Sequence, residues 1–399
     1  MTMSQLTLQA TKISREAALT SPASRLFFVD HWRAGLAILV VLHHVALVYG
    51  AAAPFYYLEP PFTDPVAYKA LSGFMLINQA WFMSAFFLLA GYFTPGSYDR
   101  GGAGSFLKKR LVRLGIPLAI FYFVLSPLAS IGYWQMPVAL TGIMAPLTWQ
   151  AYPELLGMGP LWFVAMLLIF SFGFAGWRLL TGSRGVASSK RSAPPSYLAL
   201  SVFILALAGV SYLLRNFVPM GKDVLGFPTL AYLPQYATFF IIGAVAHRND
   251  WFKSLPGLKG VVGFVVAVAA TVLLFPLALS GTMFSLELTE PAGFVGNGQW
   301  QSAVYALWDS IFAVGMSLAA LTFFRRFLSG ESRPGAFLSQ QSYAVYIIHA
   351  PIIVLIAVAL KEVGLGTLPK SGLAAVIIVP TCFIVAAILR KIPRVSRVL

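Results

Sequence analysis

Ten apolar runs of about 20 residues, spread over nearly the whole of a 399-residue chain, leave this sequence few folds to adopt. Each run is long enough to cross a hydrocarbon core roughly 30 Å thick at about 1.5 Å rise per residue. They lie near 34–52, 72–93, 111–131, 160–181, 197–216, 229–248, 258–279, 304–326, 342–360 and 372–390. The pattern predicts an all-α, polytopic membrane protein of about ten transmembrane helices. With 58% hydrophobic and 10% charged residues, the chain sits far from the quarter or so of charged residues in soluble domains. Residues 133–149 are also apolar, but Pro137 and Pro146 interrupt them, so a re-entrant or surface segment is expected there, with an eleventh span as the alternative.

The formal charge of +15 is distributed by topology rather than by nucleic-acid binding, because no basic helix or aromatic-basic pattern accompanies it. With the N-terminus inside, 23 of the 28 lysines and arginines fall on cytoplasmic flanks. Only Lys69, Arg215, Lys222, Lys361 and Lys370 fall outside. That asymmetry predicts an even helix count with both termini cytoplasmic. Residues 1–25 read as a polar cytoplasmic tail with no cleavage site after the first apolar run, and 26–399 as one membrane domain. Cys382 is the only cysteine, which excludes an intramolecular disulfide and a thiolate metal cluster. The stretch 182–196 is the most linker-like part, and no internal repeat stands out. Three outer segments, 53–71, 132–159 and 280–303, are long and rich in Pro, Tyr, Trp and Gly. They either cover an outer binding site or anchor at the lipid headgroups.

The first span carries the densest chemistry. Asp30 and Arg33 stand near its inner boundary, and His43-His44 follow after an apolar run. Arg33 and His44 are nearly three turns apart, so they project from one face at a separation of about 16 Å. Asp30 joins the same face. An ionisable group at mid-depth is costly in lipid and marks a functional or water-lined interior. Burial disfavours imidazolium, leaving His44 a neutral ring suited to act as general base towards an alcohol. The competing reading is a buried imidazole hydrogen-bonded to a carbonyl or hydroxyl. His43 lies about 100° around the helix, so the pair does not chelate well and no metal site is expected.

In the ninth span, Tyr346 and His349 share a face, with His349 at a depth close to that of His44. The two histidines are placed to converge, or else Tyr346 and His349 simply bond helices together. Asp309 near the outer end of the eighth span either orients an acceptor or an imidazole, or reaches the interface. Glu154 and Trp162 flank the fourth span as wall or rim of an outer cavity. On the inner side, Arg100-Gly101-Gly102-Ala103-Gly104 leads into Lys108, Lys109, Arg110 and Arg113. Such cations suit the phosphates of a nucleotide-bearing donor, and equally suit positive-inside anchoring.

Six segments together resemble the acyltransferase-3 family of integral membrane proteins, in the branch that includes glucan biosynthesis protein C. They are FFVDHWRAGLAILVVLHHVALVYG (27–50), FFLLAGYF (86–93), FLKKRLVRLGIPL (106–118), GPLWFV (159–164), IIGAVAHRNDWF (241–252) and SYAVYIIHAPII (342–353), in the family's order. The family's spaced arginine and histidine fall on Arg33 and His44, its basic motif on Arg110 and Arg113, and its late pair on Tyr346 and His349. His43 has no counterpart. The resemblance implies transfer of an acyl group of the acetyl or succinyl class from cytoplasmic acyl-CoA, as cosubstrate with no resident cofactor, to an extracytoplasmic glycan or other hydroxyl acceptor. It also implies an inner-membrane location. No additional C-terminal esterase-like domain is expected after the last helix. A secondary transporter or exporter is the reading from a different class, since ten helices and mid-membrane histidines serve it too.

Overall fold

The computed structural model describes residues 26–59, 64–141, 147–182, 191–280, 292–396 and 398. Ten helices long and apolar enough to cross a membrane run through it, one for each apolar run. The first (Phe27–Val48), second (Pro65–Asp99), eighth (Trp300–Phe327) and ninth (Arg333–Ala359) form the middle of the bundle. About two-thirds of the apolar window of the first and ninth spans is buried, against 17% for the fifth (Tyr197–Arg215), which faces outward. The seventh (Gly257–Ala278) and tenth (Thr367–Leu389) are also peripheral.

The first span begins at Phe27 rather than at 34, so Asp30 and Arg33 lie inside its first two turns. Hydropathy alone placed the boundary after the charges, but their side chains reach the helix end while their backbone stays helical. Asp30 sits in the first turn, where the helix dipole favours an acid. The second span is two helices. Asp64 caps the first by accepting from the Val66 and Ala67 amides, both at 3.0 Å, with Pro65 at the opening position. That helix ends at Gln79, and a new one starts at Phe82 after an irregular Trp81.

The third span (Gly102–Gln135) contains two π-helical turns, Leu111–Gly115 and Phe121–Leu125, each just ahead of a proline. Proline has no N–H to give the carbonyl four residues earlier. The carbonyl that Pro117 leaves is that of Arg113, and the Tyr343 hydroxyl donates to it. The carbonyl that Pro127 leaves is that of Phe123, and the Tyr152 hydroxyl donates to it at 2.6 Å. Both wide turns are thus completed from other parts of the chain.

Small residues bring two helices into contact at the centre. A Cβ on Gly91 would lie 2.0 Å from the Phe240 carbonyl oxygen, and one on Gly243 would lie 2.1 Å from that of Leu88. Only glycine allows this approach of the second span to the sixth (Leu230–Asn249).

The described parts of 133–149 form no span. They hold a 3-10 turn at Ile131–Gln135 and a short helix at Val138–Thr141, while 142–146 lie outside the described residues. The tail 1–25, most of the linker 182–196 and part of the outer segment 280–303 also lie outside them. Contacts sort the ends of the bundle into two sets. At one end Arg178 pairs with Asp99, Arg191 with Asp250, and Arg390 donates to the Gln340 carbonyl. At the other, Lys370 pairs with Glu59, and the Asn297 amide donates to the Arg215 carbonyl. We call these the cation-rich end and the loop end.

Candidate active site

His44 and His349 meet. Their ring centroids are 4.8 Å apart, although they stand on the first and ninth spans. Each ring is locked by a backbone carbonyl: His44 Nδ1 lies 2.8 Å from the Val40 oxygen, and His349 Nδ1 lies 2.7 Å from the Tyr346 oxygen. A carbonyl only accepts, so each Nδ1 carries the proton and donates, which leaves the lone pair of each ring on Nε2. His349 is fully buried, and its Nε2 has no hydrogen-bond partner among the described residues. His44 is half-buried and is the more accessible of the two. The helix between Arg33 and His44 is unbroken, so their rise of about 16 Å holds.

His43 faces elsewhere. It stacks on Phe82 at 5.1 Å, beside the break in the second span, and its Nδ1 lies 3.5 Å from the Asn78 amide. Its ring centroid is 5.4 Å from that of His44.

Tyr346 stands 5.8 Å from the His349 ring, and its hydroxyl donates to the Pro160 carbonyl at the entry to the fourth span. Phe163 packs edge-on to Tyr346 at 5.7 Å, and Phe86 and Phe87 pack on Phe163. Four of the segments that carry the resemblance thus meet at one place. Trp162 joins this wall from the other side by stacking on Tyr236 at 5.4 Å, and Gln79 donates to the Tyr236 hydroxyl at 3.0 Å.

Over the imidazole pair lies segment 51–59, at the loop end. Phe55 is 5.0 Å from the His44 ring, and the Tyr56 hydroxyl lies 3.3 Å from Ser126 Oγ. Burial pushes the Tyr56 phenol up to about 12, with the Ser126 contact opposing it, so Tyr56 is neutral there. The segment is fastened by Glu59, which accepts from Tyr57 at 2.7 Å and from the buried Lys370 ammonium. Lys370 also donates to the Lys361 carbonyl at 2.8 Å. This fastening was not anticipated: 311 residues separate Glu59 from Lys370, and each alone reads as an ordinary loop charge.

The basic residues gather at the cation-rich end. Arg33 pairs with Asp30 at 2.9 Å with its side chain 38% exposed. Arg110 donates to Thr94 Oγ1 at 3.0 Å and lies over the Phe106 ring, whereas Arg113 is exposed on the π turn whose carbonyl Tyr343 holds. Tyr343 is one turn from Tyr346, so the basic turn and the histidine-bearing helix are hydrogen-bonded to each other.

Asp309 is neither beside an imidazole nor at the interface. It is fully buried and paired with the equally buried Arg215 at 2.5 Å. The Arg215 guanidinium lies over the Tyr232 and Tyr305 rings at 4.8 and 5.3 Å, and the two tyrosine hydroxyls are 3.1 Å apart. Arg215 had read as a loop cation. Glu154 is exposed.

The acyltransferase-3 family model, an acyltransferase domain, matches residues 26–390. Similar proteins include the glucans biosynthesis protein C of Salmonella typhi, 26% identical over 362 residues and 83% of each chain. That of Shigella dysenteriae serotype 1 is 23% identical over 351 residues, again 83% of each chain. That of Escherichia coli O157:H7 is 22% identical over 347 residues with the same coverage. With the family model matched from the first span to the last, the chain belongs to the acyltransferase-3 family of membrane acyltransferases.

Proposed function

We propose that this acyltransferase moves an acetyl- or succinyl-class group from acyl-CoA on the cytoplasmic side to a hydroxyl of an extracytoplasmic glycan or similar acceptor. The observation that carries the reading is the His44–His349 pair, two imidazoles in contact within the bundle with Nε2 of each left as the basic nitrogen. The cation-rich end is the cytoplasmic one in this reading, as the positive-inside rule requires. Arg110, Arg113 and Arg33 receive the donor's phosphates there. The pantetheine arm then spans the ~16 Å of helix between Arg33 and His44.

His44, the accessible ring, takes the proton of the acceptor hydroxyl as its oxygen attacks the thioester carbonyl. The C–S bond breaks, and the imidazolium returns the proton to the departing thiolate, giving an ester and free CoA. His349 holds His44 in place and shares its positive charge. An acyl-His44 intermediate uses the same nitrogen and leads to the same products. Phe55 and Tyr56 form the outer cover of the pair, and the acceptor enters on that side.

The test is mass spectrometry of cell-surface glycans from cells lacking the gene and complemented with wild type, His44→Ala or His349→Ala. An ester-linked acyl mass that depends on the gene and disappears with either variant is the expected result. Wild-type acylation by His44→Ala at equal protein level overturns the role of His44. Absence of saturable, salt-sensitive acyl-CoA binding, together with robust solute flux in proteoliposomes, replaces the reading with a transporter.

A further inference from the structure

Away from the imidazole pair, a cavity of about 250 Å³ opens between the fifth, sixth and eighth spans. Its walls are apolar apart from Ser317: Leu200 and Phe203 on one side, Phe239 and Ile242 on another, and Val314 and Leu321 at the back. Ala199 on the fifth span is exposed, so this side is open towards the surrounding lipid. Phe239 to Ala246 and Val314 to Leu321 each rise by seven residue steps, a depth of about 10 Å. That is most of one leaflet, half of a core roughly 30 Å thick, and well short of the whole bilayer.

The mouth lies at the cation-rich end, formed by Pro195, Trp251 and Leu255. The rim is fixed in place. Trp251 donates its indole N–H to the Ser192 carbonyl at 2.9 Å, and the Lys259 ammonium donates to the Pro195 carbonyl. Arg325 donates to the Phe252 and Lys253 carbonyls, both at 2.9 Å, and to that of Leu255. Lys253 and Arg191 stand around it with side chains 49% and 73% exposed, and Asp250, which touches both, is the acid among them. The rim therefore carries Arg191, Lys253, Lys259 and Arg325 against Asp250, a net positive charge above an apolar slot.

We infer that this groove is a binding site for an anionic phospholipid of the leaflet at the cation-rich end, one acyl chain lying in the slot and the phosphate at the Arg191–Lys253 rim. The depth matches a chain confined to one leaflet, and the rim selects the headgroup. Each basic residue near a membrane surface contributes a preference for anionic lipid of about fivefold. The site is separate from the acyl-transfer chemistry and stands whether or not that chemistry is as proposed.

Native mass spectrometry of the full-length protein in detergent, with phosphatidylglycerol or phosphatidylethanolamine added at equal concentration, reads the site directly. One phosphatidylglycerol is expected to be retained in preference to phosphatidylethanolamine. Arg191→Gln and Lys253→Gln should each lower that preference about fivefold without altering phosphatidylethanolamine retention. Ala199→Trp, which fills the open side, should abolish the retained lipid. Equal retention of both lipids by wild type, or undiminished retention by Ala199→Trp, overturns the inference. A second measurement needs no filled slot. In nanodiscs, the fluorescence difference between wild type and Trp251→Phe should be smaller with brominated than with unbrominated phosphatidylglycerol, and an undiminished difference counts against the site.

Discussion

Two of the places inside the bundle that hold ionisable side chains are built in opposite ways. Around Asp309 the charge is paired: Arg215 meets the carboxylate and two tyrosine faces meet the guanidinium, whose Nε and Nη1 have no hydrogen-bond partner among the described residues. Around His44 and His349 the backbone takes only one nitrogen of each ring and leaves the other without a carbonyl. Cost in lipid alone does not separate a structural group from a chemical one. What separates them is whether an opposite charge neutralises the group or a basic lone pair is left beside a second imidazole.

The difference is tested most severely at His44. His44→Ala is expected to lower acyl transfer by about 10²- to 10⁴-fold, the range of a lost general base, with the melting temperature in detergent nearly unchanged. A loss of folded protein in proportion to activity would place His44 with the paired, structural groups instead. Asp309→Ala should do the reverse. It leaves Arg215 buried and unpaired, at a cost of about 3–5 kcal/mol, visible as a lower yield of folded protein and a lower melting temperature. The double replacement Arg215→Met with Asp309→Leu removes both charges and should recover most of that loss. If Asp309→Ala folds normally and loses only turnover, the pair belongs with the chemistry.

Glu59→Gln probes the fastening of segment 51–59. Removing the charge that Lys370 meets should cost less than removing Asp309, because Glu59 lies in a loop at the bundle end and glutamine still accepts the Lys370 hydrogen bond, and it should raise KM for the acceptor more than that for acyl-CoA. Equal changes in both constants would mean that the segment does not cover one side of the site. The smallest effect is expected from Tyr343→Phe. One hydrogen bond to the Arg113 carbonyl is worth about 0.5–1.5 kcal/mol, and its loss should weaken acyl-CoA binding while sparing the fold.

Much of this was legible in the sequence for simple reasons. All ten spans appear as apolar runs because lipid imposes one composition on every crossing segment. The Arg33–His44 relation follows from helical period alone, and His349 could be matched to His44 because depth along a span can be counted from its end. Three features carried no such signal. Arg215 and Asp309 are 94 residues apart, and each stands near a span end, where charges are ordinary. The break before Phe82 has neither Pro nor Gly to mark it, only the polar Asn78-Gln79 pair inside an otherwise apolar run. The early start of the first span was hidden because hydropathy records side-chain polarity, whereas helix continuity belongs to the backbone.

Pro117 gives the third span a property that belongs to no single helix. A carbonyl deprived of its own helical donor takes one from the ninth span, so the wide turn of one membrane crossing is completed by a hydroxyl on another. In mechanical terms the two helices form a linkage with its pin at Tyr343, one turn from Tyr346 and two from His349. A displacement of the Arg113 turn is carried by that pin to the helix bearing His349 in the interior. Pro117→Ala, which looks like a repair of the helix, would return the donor to the third span and release the pin.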